Sequence, residues 1–155
     1  MPDPILVAAR DTIAESLDEL RRAVGGLTSD ELNARLAGEG TNPMAVIVTH
    51  ALESTRAWLS LATAAPIPPR DRPAEFRAVA DEGFSVWVEG RIAECLALLD
   101  AAETFDPTHE QVASWTSEPE PRSAAWALLH ATAHLGEHVG HAHAMRDLLR
   151  GGAPA

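Results

Sequence analysis

The chain reads as an all-α protein, a four-helix bundle. Three observations support this. Apolar residues recur at three- and four-residue steps through four long segments, the period of a helix face. No segment shows the apolar/polar alternation of a half-buried strand. Ala and Leu dominate the apolar residues, aromatics are few and Tyr is absent, which suits close helix packing better than sheet stacking. At 155 residues the chain has the size of one ordinary domain with a real core. Residues 1–150 are expected to form that single bundle and 151–155, Gly-Gly-Ala-Pro-Ala, a frayed tail.

The first helix is expected over residues 4–24, where Ile5, Ala9, Ile13, Leu17, Leu20 and Val24 form one stripe and Gly25-Gly26 ends it. Thr28 or Ser29, with Glu31, can cap a short turn after it. The second long helix is expected from Thr41-Asn42-Pro43 to residue 64. Asn or Thr suits the N-cap and Pro the first helical position, and Pro66 to Pro69 bring a stop. Its apolar face holds Ile47, His50, Ala57, Trp58 and Leu61, so one histidine sits inside an apolar stripe. After a linker over 65–73, a third helix is expected over 74–102 on Phe76, Val79, Phe84, Trp87, Val88, Cys95 and Leu99. Residues 104–121 read as a long polar connection with Trp115 inside it, a loop length often tied to function. The fourth helix is expected over 121–150, with Leu128, Leu135, Val139 and Ala142 facing the core.

The net charge of -11 argues against nucleic acid and anionic membrane surfaces, both of which select basic faces. No apolar run approaches the roughly 20 residues of a bilayer span. The N-terminus lacks a basic region followed by an apolar one, so no signal peptide is expected. A single cysteine, Cys95, forms no internal disulfide and fits a reducing, cytoplasmic setting.

Five of the seven histidines fall between positions 130 and 143. At about 100° per residue, with His130 at zero, His134 lies near 40°, His138 near 80°, His141 near 20° and Glu137 near 340°. His134 and His138 lie nearest the apolar sector. A pair at i and i+4 can chelate one metal ion, and imidazole is the commonest protein ligand for such ions. The third ligand must come from another helix, where His50 is the one histidine on an apolar face. Three protein ligands leave positions open for water or substrate. His130 with His134 is an alternative pair. A lone apolar-face histidine is more often a hydrogen-bonded core residue than a ligand, so the case for His50 rests on its partners.

Two stretches resemble a known family, the DinB/YfiT-like metalloenzymes, which include mycothiol-, bacillithiol- and glutathione-related transferases and maleylpyruvate isomerases. One is Gly40-Thr41-Asn42-Pro43-Met44-Ala45-Val46-Ile47-Val48-Thr49-His50; the other is His134-Leu135-Gly136-Glu137-His138-Val139-Gly140-His141-Ala142, followed by Arg146-Asp147-Leu148-Leu149. The resemblance implies metal ligands at His50, His134 and His138, an up-down-down-up bundle, a homodimer, and Zn²⁺ or Ni²⁺. Some members carry Glu at the first paired position, where this chain has His134. The resemblance further implies an enzyme acting on a small molecule with a low-molecular-weight thiol such as mycothiol as cosubstrate. The rival readings are a metal-dependent hydrolase and a non-catalytic, stress-related metal-binding bundle.

Other residues have plainer readings beside functional ones. His141 and Glu137 are the candidates for acid–base work or for orienting a ligand, against simple solvation. His109 and His143 read as solvated, and Glu53 as an exposed carboxylate. Trp58, Trp87 and Trp126 read as packing, Trp115 as a lid over the site or a cover for the bundle end, and Cys95 as a buried, inert thiol. Arg56, Arg70, Arg72 and Arg77 read as solvated charges, with an anionic cosubstrate as the alternative.

Overall fold

The computed structural model describes residues 3–151. It is mostly helical, with a single two-stranded sheet among the described residues. Helix α1 spans Pro4–Val24. Asp3 caps it, its carboxylate accepting from the backbone N–H of Ile5 and Leu6, and a proline opens the first turn. Ile13, Leu17 and Leu20 are fully buried. The stripe starts one residue later than the spacing suggests: Leu6 is buried while Ile5 is exposed. Helix α2, Ser29–Asn33, carries a reciprocal capping box between Thr28 and Glu31.

Helix α3, Met44–Ala62, starts later than expected. Pro43 is its N-cap, in extended conformation (φ -64°, ψ 162°), and no side chain caps the end. A residue before proline is driven out of the helical region, so Asn42 cannot join the first turn. The Pro43 carbonyl instead accepts from Val46 and Ile47. Helix α3 is buried around nearly its whole circumference, because α5 and α6 both pack on it.

The expected third helix is two helices. One turn, α4, spans Arg72–Glu75, capped by Asp71 with Pro73 in its first turn. Helix α5, Phe84–Asp100, follows after residues 76–83. The break has a visible cause. The side-chain amide of Asn33 accepts from the Ala80 N–H (2.8 Å) and donates to its carbonyl (2.9 Å), so both backbone groups are satisfied outside a helix. Val79, assigned by spacing to the apolar face, is therefore 72% exposed.

The polar connection is also more ordered than expected. Strands β1 (Glu110–Val112) and β2 (Pro121–Ser123) pair antiparallel, Glu110 opposite Ser123 and Val112 opposite Pro121. Residues 121–123, assigned to the last helix, belong to β2, and Ser123 caps α6, Ala124–Leu149. The first free N–H groups of α6 donate to the carbonyls of His109 and Pro107. Helix α6 packs on α3 and α1, and α5 packs on the same two. Arg146 of α6 donates to the carbonyls of Ala23 and Gly25 and so closes the end of α1. No described helix is long and apolar enough to cross a membrane. Beyond Gly151, the tail expected to fray lies outside the described residues.

Leu135 is fully buried where α6 meets the other helices. Leu135→Ala is expected to cost about 2–5 kcal/mol, read as a lowered midpoint in urea denaturation.

Candidate metal centre

The α3–α6 seam sets the site. His50 projects from α3 toward α6, where His134 and His138 stand one turn apart. The His50 ring lies 5.2 Å from that of His134 and 5.1 Å from that of His138, centroid to centroid. The Nε2 atoms of His134 and His138 are 3.3 Å apart. One nitrogen from each of the three rings falls within 4.8 Å of the others, a group that could hold a metal ion. Two ligands about 2.0–2.1 Å from a tetrahedral zinc lie about 3.3 Å apart, the separation of the paired histidines.

His50 is oriented by a buried chain of charge. Its Nδ1 lies 2.8 Å from Oε2 of Glu75. Arg70 holds the same carboxylate with two bonds, Nε to Oε1 at 2.6 Å and Nη2 to Oε2 at 2.9 Å. The side chains of both Arg70 and Glu75 are only 4% exposed. Burial pushes the Glu75 carboxyl upward, but the hydrogen bonds from His50 and Arg70 outweigh it and hold it below its ordinary range. An ionised carboxylate only accepts, so Nδ1 of His50 donates, which leaves Nε2 as the ring nitrogen available to a metal. This is how an orienting carboxylate prepares a histidine for a metal.

Helix α6 shows the complementary feature. Burial, reinforced by the neighbouring imidazoles, pushes His134 down to about 3 and His138 down to about 4. Both rings are neutral near pH 7 and offer lone pairs. Their Nδ1 atoms are buried without a hydrogen-bond partner, an unfavourable state for polar atoms. Two neutral rings with their Nε2 atoms at the separation of neighbouring metal ligands, and a third imidazole oriented by a carboxylate beside them, fit a divalent metal ion.

The family model of mycothiol S-transferases matches residues 8–151, nearly the whole chain. The chain belongs to the mycothiol S-transferase family. It is a DinB-like family, in line with the resemblance carried by the two histidine motifs. A search of curated proteins found no match.

For a mycothiol S-transferase family member, the surroundings of the three histidines matter as much as the histidines. A cavity of about 270 Å³ opens beside His50 and His134, walled by Trp58, Trp115, Arg70 and Arg72 among others. Trp115, from the hairpin connection, stands edge-on to Trp58 at 5.0 Å. It packs against the core and walls the cavity. His130 does not join the group of three; its ring stacks on Trp126 at 4.6 Å and meets Trp58 at 4.9 Å. His141 and Glu137 are both exposed on α6, and the His141 ring is 5.7 Å from that of His138.

Several residues read as solvated have partners. His143 lies 3.0 Å from a Glu19 carboxylate oxygen, and His109 contacts Gln111. Glu53 is not an exposed carboxylate: it bridges Arg56 and Arg91, each at 2.7 Å, with its side chain 13% exposed. Trp87 is half-buried, stacked on Phe84. Burial pushes the Cys95 thiol up to about 12, so this thiol is inert, as its apolar neighbours suggested. Glu75 and the structural role of Arg70 escaped sequence reading. The local signal was Asp71 ahead of Pro73, a helix start that places Glu75 at the end of one turn, though nothing in it identifies His50 as partner.

Glu75→Gln keeps the size but removes the charge that fixes His50; metal affinity is expected to fall about 10–100-fold, measured by competition with a chromophoric chelator. The metal-free protein should also be acid-sensitive. His134 and His138 titrate below their ordinary 6.5, so below that pH the unfolded chain binds more protons than the folded one. Stability should fall as pH drops from 6.5 through about 4 and 3 and be indifferent to these groups above 6.5. Urea midpoints across that range check this, and they should flatten in His134→Phe.

Proposed function

We propose that this chain is a metal-dependent S-transferase that joins a low-molecular-weight thiol, mycothiol or a close analogue, to an electrophilic small molecule. The observation that carries the reading is the group of three imidazoles, each with a nitrogen within 4.8 Å of the others, at the α3–α6 seam of a mycothiol S-transferase family member. His50, His134 and His138 would hold one divalent ion, Zn²⁺ or Ni²⁺. When bound, such an ion favours the thiolate form of a thiol, which is the nucleophile.

The chain's own residues do the rest. Arg70 and Glu75 keep His50 in one tautomer and one orientation. Trp58 and Trp115 exclude water from the cavity beside the histidines. The thiolate sulfur forms a bond to the electrophilic carbon while the leaving group departs with its bonding electrons. Exposed His141, next to His138, and exposed Glu137 are the candidates for passing the thiol proton to solvent. The reading includes a single domain over residues 1–150, an up-down-down-up four-helix bundle, a homodimer and a cytoplasmic setting.

The test is metal analysis together with thiol-dependent consumption of chlorodinitrobenzene. Wild-type protein is expected to bind one equivalent of metal and to consume the electrophile with mycothiol. His134→Ala is expected to lose both. Stoichiometric metal without turnover by any common cellular thiol would refute the transferase assignment and leave the metal site standing. Absence of metal binding would refute both.

A further inference from the structure

The cavity beside the histidines is chemically one-sided. Its lining includes His50, Trp58, Arg70, Arg72, Trp115 and His130, and no Asp or Glu lines it. This is unusual in a chain with 23 acidic and 12 basic residues. The Arg70 guanidinium is committed to Glu75. Arg72 is exposed, lies over the Phe76 ring at 5.4 Å, and has no carboxylate partner among the described residues. Phe76 in turn stands 5.0 Å from the His50 ring, so the free cation sits one aromatic ring away from the three histidines. On the cavity wall, the indole N–H of Trp115 is buried with no acceptor, and an indole nitrogen can only donate. The wall thus offers one unpaired cation and no carboxylate.

Shape narrows the occupant further. Trp58 and Trp115 meet edge-on at 73°, and His130 meets Trp58 at 68°, a corner of aromatic surfaces against which a flat ring packs well. About 270 Å³ is just below the usual size of ligand cavities and suits a single ring with small substituents.

We propose that this cavity receives the electrophile, and that it selects a flat, one-ring molecule bearing a carboxylate. Arg72 takes the carboxylate as a charge-assisted pair, and the tryptophans hold the ring. That the bound molecule then accepts a thiol rests on the transferase reading; that it binds, and binds by charge, does not.

The test separates the two. The affinities of para-nitrobenzoate and of its uncharged partner para-nitrobenzamide are measured by calorimetry, on zinc-loaded protein and again after chelator stripping. The carboxylate is expected to bind about tenfold more tightly in both forms, the scale of one charge-assisted hydrogen bond. In Arg72→Gln the ratio of the two affinities should collapse toward 1, and Arg72→Lys should restore part of it. Trp115→Leu should weaken both ligands together. Equal affinities in the wild type, no binding of either probe, or a preference that survives Arg72→Gln would overturn the proposal. A preference present only with zinc would assign it to the metal and overturn it as well. Failure of thiol-dependent turnover leaves these binding ratios untouched, so the two ideas fail separately.

Discussion

The structure turns on the seam between α3 and α6. Leu52, Ala131, Leu135 and Ala142 are buried to 4% or less in the same core, and that burial brings the two helices into register. The same packing draws three imidazoles out of water. Buried polar atoms are unfavourable unless they find partners. The molecule meets this demand unequally: His50 is answered by Glu75, while His134 and His138 each keep an unpartnered Nδ1. The apolar seam supplies the free energy that tolerates the polar vacancy, and so the fold and the site are one problem.

Charge is handled with similar economy. Across a strongly acidic surface, carboxylates are bound into networks with arginines, as at Glu53 between Arg56 and Arg91. Inside, one ion pair, Arg70 with Glu75, is almost fully dehydrated. A buried pair adds little net stability on its own. Its effect here is orientation, because it determines which nitrogen of His50 carries the proton. The electropositive lining of the adjoining cavity stands out against the acidic exterior for the same reason: the one nearby carboxylate is already spoken for.

Much of this was legible in the chain. The apolar period marked α1, α3, α5 and α6, and the four-residue step between His134 and His138 marked one half of the histidine group that the fold brings together, with His50 on an apolar face as the other. What stayed hidden was tertiary in origin. The break at residues 76–83 depends on Asn33, far away in sequence, answering the backbone of Ala80. The β1–β2 pair is three residues a side and half-polar, too short to show alternation. Glu75 reads as one more surface acid until the chain from Pro69 onward folds back over α3. Local pattern reveals which face of an element is buried; it does not reveal which polar group crosses from another segment to meet it.

The carboxylate that orients His50 belongs to a single helical turn in the connection between α3 and α5, and not to any of the long helices. Changes confined to residues 70–75 can therefore alter the basicity and aim of one ligand while the packed helices stay as they are. Evolution can thus re-aim His50 in a DinB-like scaffold by editing a loop, much as an instrument is tuned at the peg and not by rebuilding the body.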